Sequence, residues 1–534
     1  MKKEIIELRK RIFDNLKEKA LSFESSVSPE LINYRNDQEN YSKRDFTKTT
    51  IEELKTRVKE TDTIYLGDFH TFDQNIRNVL RIIKVILNSK NKCIVALEMV
   101  DAQFQFYIDT YMEGHLTDLE FLESIDYHES WRFPWTHYKL IFDLAKENDI
   151  KIIGLNTKGN LIERDLFAAK LISHTLKTQK NTQVLVLYGE LHLTPNKIPK
   201  LVKDQNPHTE SVIIHQNLDE VYWKQIELNQ DNKVVCFDQN EFCINSAPPW
   251  IKYESMIYWY ENLSNDPDFD IHEYIIENGK KIFSDDTHEN FFSMCKEMIT
   301  AIRINFDLDE LEDFNLHDHT NLEFIEDKVL ELDSKELVSF YNYLFQTGQS
   351  FKLPDENTFY CSSYSMNRMA YLAGIYIFHY FFKKQNEKTA TILTQKTQTN
   401  RFILFSIEAL FAFFFSKVIN PHRKCEMYLD LRSQFSNQTD ELTKKLYSIA
   451  ADILDGMDIE TSLKGLDLSE VHEISLHVGH ILGEYLYENI FNQKKNLNIE
   501  GDFLVTKISE FQFNKIKSIL LKDTHYKTHQ KRYF

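Results

Sequence analysis

Between residues 61 and 250, short apolar runs alternate with segments of helical length, and no other feature of the chain constrains its fold as strongly. The runs are "TIYLGDF" (63–69), "KCIVALEM" (92–99), "KIIGLN" (151–156), "QVLVLYGE" (183–190) and "SVIIHQN" (211–217). Near-continuous apolarity is the pattern of strands buried on both faces of a parallel sheet. Amphipathic segments at about 74–89, 101–112, 137–148 and 162–176 supply crossover helices between them. The expected fold class is therefore α/β, a mostly parallel sheet flanked by helices, followed by an all-α helical domain. "KVVCFDQNEFCIN" (233–245) reads as a closing strand or hairpin.

A chain of 534 residues is too long for one core. Residues 1–60 read as a helical lead-in, with Ile5, Leu8, Ile12 and Leu16 at helical spacing, followed by a polar stretch, "YRNDQENYSKRDF", that reads as loop. The α/β domain spans 61–250 and ends at the Pro-rich "SAPPW" (246–250). From 260 to 534 the strand signal disappears. Segments 253–263, 288–303, 335–346, 364–384, 401–418, 438–454 and 469–492 read as helices, with a polar linker near 308–335. Only 13 glycines and 10 prolines agree with so much helix. Ala370/Gly374 and Gly479/Gly483 place small residues four apart on long apolar faces, where a neighbouring helix can approach closely. The segments "YLAGIYIFHYFF" and "LHVGHILGEYLY" are faintly alike, which is too little for a repeat.

Composition narrows the function classes. A net charge of −19 disfavours non-specific nucleic-acid binding, because phosphates are repelled. Cys93, Cys236, Cys243, Cys295, Cys361 and Cys425 form no CxxC pair and read as free thiols of a reducing compartment. Glu4, Glu7 and Arg9 interrupt the N-terminal segment where a signal peptide would be apolar, and it has no cysteine for a lipid anchor. "FILFSIEALFAFFF" (Phe402–Phe415) is shorter than the roughly 20 residues of a membrane span and contains Glu408, so it reads as a buried helix. A cytoplasmic location without a membrane span is the expectation.

In open parallel sheets, ligands bind beyond the carboxyl ends of the strands. One strand here ends in Gly67-Asp68-Phe69-His70 and another in Gly189-Glu190-Leu191-His192; between them a third ends in Glu98-Met99. Glycine permits a tight exit from the strand and leaves room for a ligand near the backbone. The two imidazoles with Asp68, Glu98 and Glu190 form a set able to hold a divalent metal through nitrogen and oxygen. Without a metal, a histidine paired to a carboxylate is a general base. A single Gly-x-x-His is equally a polar strand cap; the case rests on two at strand ends with Glu98 between. Gln103 and Tyr107 lie one helical turn apart beside Glu98, facing either the pocket or solvent. Trp131, Trp135 and Tyr138 read as core or pocket wall. Arg164 and Asp165 read as a pocket ion pair or as the opening turn of a helix. His477, His480 and Glu484 share a helical face; structural or exposed histidines are the preferred reading over a metal site in a bundle.

"YLGDFH", "ALEMVDAQFQFYIDTYMEG", "WRFPWTHYKLIFDLAKENDIKIIGLNT", "RDLFAAKLI" and "LVLYGELH" occur in an order that resembles the ChaN-like domain of the haem-binding-uptake/Tiki superfamily, distantly related to erythromycin esterases. The resemblance covers roughly residues 60–220. It implies haem binding, or, by analogy with Tiki-type proteases and the esterases, metal-dependent hydrolysis. Carried onto this chain, the paired motif selects Gly67/His70 and Gly189/His192, with Glu98 as the intervening glutamate. Asp68 stands where the family usually has glutamate. A tyrosine is expected to ligate haem, but no local motif places it. The primary expectation is a ChaN-like protein binding haem or a divalent transition metal at the strand ends. Gly67, Asp68, Gly189, Glu190 and Gln103 would then contact the cofactor, and His70, Glu98 and His192 would be the metal ligands. The same three residues would be catalytic in the alternative, a metal-dependent hydrolase. A second alternative is a non-catalytic interaction scaffold. The expected partner is haem or another small-molecule ligand, with a homo-oligomer as an open alternative.

Overall fold

A computed structural model describes residues 1–23, 27–89, 91–262, 287–304, 314–318, 321–354, 357–363, 365–386, 391–392, 395–433, 440–491, 497, 499–503, 507–522 and 524–531. The chain divides into two compact units: an α/β unit, Phe13–Glu273, and a helical unit, Met1–Ile12 with Tyr274–Tyr533.

The α/β unit is built on an eight-stranded sheet: β1 (Thr47–Lys48), β2 (Thr63–Asp68), β3 (Lys92–Asp101), β4 (Lys151–Asn156), β5 (Thr182–Gly189), β6 (Ser211–Gln216), β7 (Val234–Asp238) and β8 (Glu241–Ile244). Their order is β1-β7-β8-β6-β2-β5-β3-β4. The run from β8 to β4 is parallel; β7 is antiparallel to both β1 and β8. The last apolar stretch is thus the expected hairpin, and its second strand also extends the parallel sheet along β6. Because strand side chains alternate, each parallel strand feeds two cores. Ile64, Leu66, Val95, Leu97, Leu185 and Leu187 pack under the helices Asp73–Asn88 and Trp135–Glu147. Tyr65, Ala96, Val184, Val186 and Tyr188 pack under Leu161–Thr178 and Ile198–Gln205.

Three expectations change. The polar stretch from Tyr34 is largely helix, Pro29–Ser42, begun by Pro29 at its first position and capped by Ser28 Oγ on the Leu31 amide. Polar composition hid it; its anchor is the buried Tyr34. The segment 101–112 is a 3-10 turn, Ala102–Phe104, followed by the helix Gln105–Met112. The sequence boundary at "SAPPW" runs straight into the helix Pro249–Asn262, and Trp250 is wholly buried against Tyr222 and Trp223 within the α/β unit.

The helical unit centres on Gln398–Ile419, a helix apolar and long enough by composition to cross a membrane but almost wholly buried here. Its neighbours are Met366–Asn386 and Leu468–Phe491. At Gly479 an added Cβ would sit 2.5 Å from the Ser406 carbonyl oxygen, and at Gly483 2.6 Å from that of Leu410. The small residues four apart therefore let one helix lie against the backbone of the next. Arg9, 1% exposed, donates from Nε to the Val418 carbonyl at 2.8 Å and from Nη2 to the Lys417 carbonyl at 3.0 Å and the Tyr487 hydroxyl at 2.8 Å. It thus serves carbonyls that the end of a helix leaves without an internal donor. This unit is mostly helical but not purely so. β9 (Asn315–His317), β10 (Phe351–Lys352) and β11 (Thr358–Tyr360) form a small sheet in the order β10-β11-β9. The expected linker near 308–335 holds β9 and the helix Leu322–Leu330; its residues 308–313 and 319–320 lie outside the described residues.

Candidate functional site

Strand order puts the carboxyl ends of β2, β5 and β3 side by side, with Asp68 in register with Gly189 and Leu97 with Leu187. Pleating then decides which layer each side chain enters. Leu66 faces the Trp135–Glu147 layer, and so does Asp68 two residues on: its Oδ2 accepts from the Tyr138 hydroxyl at 2.7 Å and lies 2.8 Å from His70 Nδ1. Ala96 faces the Leu161–Thr178 layer, and so does Glu98, whose Oε1 accepts from Arg164 Nη2. Glu98 Oε2 accepts from the Gly189 amide at 2.6 Å and stands 3.9 Å from His70 Nε2. Glu98 is freed from regular pairing because the β3–β4 register shifts between Leu97 and Asp101.

His70 is the most open member of this group, its side chain 24% exposed. Its ring lies edge-on to Trp131 at 4.6 Å between centroids and tilted against Phe133 at 4.8 Å. Burial works to lower its pKa, but Asp68 and then Glu98 outweigh burial and Arg164, and the net shift is upward. Burial, and after it the Asp68 charge, push the Tyr138 phenol well above its ordinary value, so Tyr138 remains a donor to Asp68.

The second motif is arranged differently. His192 follows β5 in a 3-10 turn, its side chain 7% exposed. Its Nδ1 is bonded to Asp165 Oδ1, whose partner oxygen Oδ2 accepts from the Tyr34 hydroxyl at 2.8 Å. Glu190 reaches across β2 to His215 of β6, joining Oε1 to Nδ1; His215 Nε2 lies 3.0 Å from Glu241 Oε1, and Glu241 pairs with Arg44. Burial opposes the charge on His215, yet Glu190 and Glu241 prevail and its pKa is pushed up to about 9. Both motif glycines make room for these carboxylates. A Cβ on Gly67 would lie 1.6 Å from Glu190 Oε2; one on Gly189 would lie 3.3 Å from Glu98 Oε2 and 3.4 Å from the His70 ring.

The structure therefore brings together His70, Asp68, Glu98 and Gly189, and adds Tyr138 and Arg164. It separates three sequence-based candidates from them. His192 is committed to Asp165, Glu190 to His215, and Gln103 is an exposed turn residue whose amide is capped by Asp101. Tyr107 is also exposed; Gln105 instead packs on β4, through the Ile152 carbonyl and the Gly154 amide. Arg164 and Asp165 do not pair with each other but with Glu98 and His192 respectively. Trp135 is core, Trp131 lies against His70, and Tyr138 is a hydrogen-bonding member of the group. The expected metal set of His70, Glu98 and His192 is not assembled. Among the described residues no group of three or more His, Cys, Asp or Glu could hold a metal ion. The Arg164 guanidinium beside Glu98 also disfavours a second cation there. His477, His480 and Glu484 diverge as well, to Tyr447, Tyr371 and Lys417.

A haem makes different demands: one imidazole nitrogen, apolar or aromatic walls and cationic neighbours for its carboxylates. His70 fits the first, with Nδ1 anchored on Asp68 and, among the described residues, no hydrogen-bond partner on Nε2; Trp131 and Phe133 supply walls, and Arg164 a cation. Tyr138, Tyr188 and Tyr34 are buried, so none of them is an open phenolate at this surface.

Comparison with known proteins gives a family match and structural likenesses. No curated protein matches the chain. Among solved structures it is similar to ChaN of Campylobacter jejuni, described for its cofacial haem binding, at 16% identity over 32% of this chain and 88% of that one, with a TM-score of 0.26. It is also similar to the C-terminal region of Pasteurella multocida toxin, described as having a thiol-protease-like catalytic triad, at 14% identity over 34% of this chain and 26% of that one, with a TM-score of 0.22. At these scores neither likeness bears on the chemistry of the site. The family model covers less than the sequence resemblance did and stops short of β5 and His192, but it contains His70, Glu98 and Arg164: residues 54–166, about a fifth of the chain, match the family described as haem-binding uptake, Tiki superfamily, ChaN, and the α/β unit is ChaN-like over that stretch.

Proposed function

We propose that the α/β unit binds haem at the carboxyl ends of β2, β3 and β5, with His70 as the iron ligand through Nε2. The observation that carries this reading is the bond from His70 Nδ1 to Asp68 Oδ2. A histidine that ligates a metal through one nitrogen is typically oriented by a carboxylate on the other. Tyr138 holds Asp68 in turn, so the shorter aspartate arm serves its own motif's imidazole. Arg164 would meet a haem carboxylate, while the Gly67 and Gly189 cradles seat the Glu190 and Glu98 carboxylates behind the imidazole. Bound haem would supply the iron centre; the chain orients the imidazole, walls it with Trp131 and Phe133 and places the charges. The family match supports the choice of ligand. Titration with haem, followed by Soret absorbance, should show a saturable band shift. His70→Ala should weaken binding at least tenfold, whereas His192→Ala should bind nearly as the parent does. No saturable change, or unaltered binding by His70→Ala, overturns the reading.

A second reading has one observation in its favour. The Asp68–His70 pair is also the arrangement of a general base that needs no metal. It requires ester or peptide hydrolysis that falls at least a hundredfold in both His70→Ala and Asp68→Asn. Equal turnover by parent and variants removes it.

A further inference from the structure

The helical unit contains a cavity of about 540 Å3, within the range of small-molecule sites. It is lined from the helices Lys335–Gln346, Met366–Asn386, Gln398–Ile419 and Leu468–Phe491 and from the loop after β10. Much of the wall is apolar, including Phe340, Phe351, Ile375 and Phe405. Two guanidiniums, Arg368 and Arg423, line it as well.

Their bonding is incomplete for charged groups in such a place. Arg368 Nη1 donates to the Gly348 carbonyl at 2.8 Å and to Ser362 Oγ. Arg423 Nη1 reaches the Asn367 carbonyl at 3.4 Å, and its guanidinium lies 5.0 Å from the Tyr371 ring centre and 5.4 Å from that of Phe413. Among the described residues, neither guanidinium forms an ion pair with a carboxylate. Burial holds the Arg423 pKa down, Tyr371 opposes this, and the nearby Arg368 charge adds to it. The acid in the cavity, Glu408, is engaged at 2.7 Å by His379 Nε2. Among the described residues, three that line the cavity also keep buried polar atoms without a partner: Asn367 Oδ1, Nδ1 of His472, and Nδ1 of His379, a residue only 5% exposed. A desolvated guanidinium without a counter-ion, such as Arg423, and orphaned polar atoms are costly unless something fills the space.

We propose that this cavity binds a small amphipathic carboxylate, its carboxylate held by Arg368 and Arg423 and its apolar body lying along Phe340, Phe351, Ile375 and Phe405. Guanidiniums match carboxylates in planar, paired hydrogen bonds, and the apolar wall excludes a purely inorganic anion as the best occupant. A cation is repelled by the two guanidiniums.

Calorimetric titration of the full chain with octanoate, octanol and inorganic phosphate tests this. Octanoate should saturate one site at least tenfold more tightly than octanol or phosphate. Arg368→Gln and Arg423→Gln should each weaken octanoate about tenfold and leave octanol unchanged, and Arg423→Lys should restore part of the loss. Absence of octanoate binding, octanol or phosphate binding as tightly, or unchanged octanoate affinity in the double Gln variant overturns the proposal. If the Gln variants do not fold, the melting temperature of the parent chain decides. It should rise with octanoate and not with octanol, and equal shifts sink the idea.

Discussion

In Gly67–His70 the carboxylate stays with its own motif: Asp68 holds His70, and the ring remains partly open. In Gly189–His192 the carboxylate leaves: Glu190 crosses β2 to reach His215, and His192 is taken by Asp165 from a helix. The same four-residue pattern at two neighbouring strand ends thus makes a partly open imidazole in one case and a buried one in the other. The difference follows from arm length and strand position. Aspartate is too short to leave its strand end, whereas glutamate can cross the hole left by the glycine of the next strand. Identical motifs need not do identical work: each ring is anchored through Nδ1, but the first is 24% exposed and the second 7%.

The largest effect should come from filling the two holes. Gly67→Ala would displace the Glu190 carboxylate from His215 and should cost about 2–3 kcal/mol in a urea unfolding series. Gly189→Ala would bring a Cβ to 3.3 Å from Glu98 Oε2 and 3.4 Å from the His70 ring, which side-chain ends can relieve by a small shift, and should cost about 1 kcal/mol. A larger loss at Gly189 would reverse the roles assigned to the two motifs.

A second test uses pH. The pKa of folded His215 is about 9, above that of a free imidazole, so its protonation stabilises the fold. That contribution is whole below about pH 6.5, the ordinary imidazole value, and is lost as pH rises through about 9. Glu190, Glu241 and Arg44 are the charged groups around it. The pKa of Glu241 is lowered, burial being outweighed by His215 and Arg44, so its share is lost as pH falls through the carboxylate range. Unfolding free energy should therefore decline between pH 7 and 9.5 in the parent and stay flatter in His215→Gln. Equal slopes would mean the second motif's carboxylate is not bound to a charged ring.

The smallest effect separates the two hydroxyls. Tyr34→Phe should cost about 1 kcal/mol and leave the His70 titration unchanged, since Tyr34 serves Asp165. Tyr138→Phe should cost a similar amount and also move the His70 NMR titration, because Tyr138 shares the oxygen that His70 uses. If both variants move His70, or neither does, the two clusters are not separate.

The strands and their ends were legible because burial on both faces writes itself as continuous apolar runs, and the Gly-x-x-His exits stand out against them. Partners were not legible. Arg164 and Asp165 adjoin in sequence, yet helix geometry sends one to Glu98 and the other to His192; their place in the opening helical turn after β4, at the strand-end face, was the available clue. Tyr138 looked like one more aromatic wall residue, since nothing in its neighbourhood reveals that a strand end 70 residues earlier supplies its acceptor. Tyr34 lay hidden in a polar stretch whose helix depends on a cap and on one buried ring. β9, β10 and β11 are two or three residues long, too short to establish a period.

The clamp of Arg9 on the end of the helix Gln398–Ile419 has a consequence for the order of synthesis. The donor and its acceptor, the Val418 carbonyl, are 409 residues apart. At ordinary translation speed the arginine waits on the order of tens of seconds for the carbonyls it will serve. By then every strand of the large sheet, all within residues 47–244, has left the ribosome. Birth order thus favours the α/β unit folding early and the helical unit closing last, when the first helix finds the last third of the chain. Replacing Arg9 should accordingly be felt most by the helical unit, although the arginine is made before any strand of the large sheet.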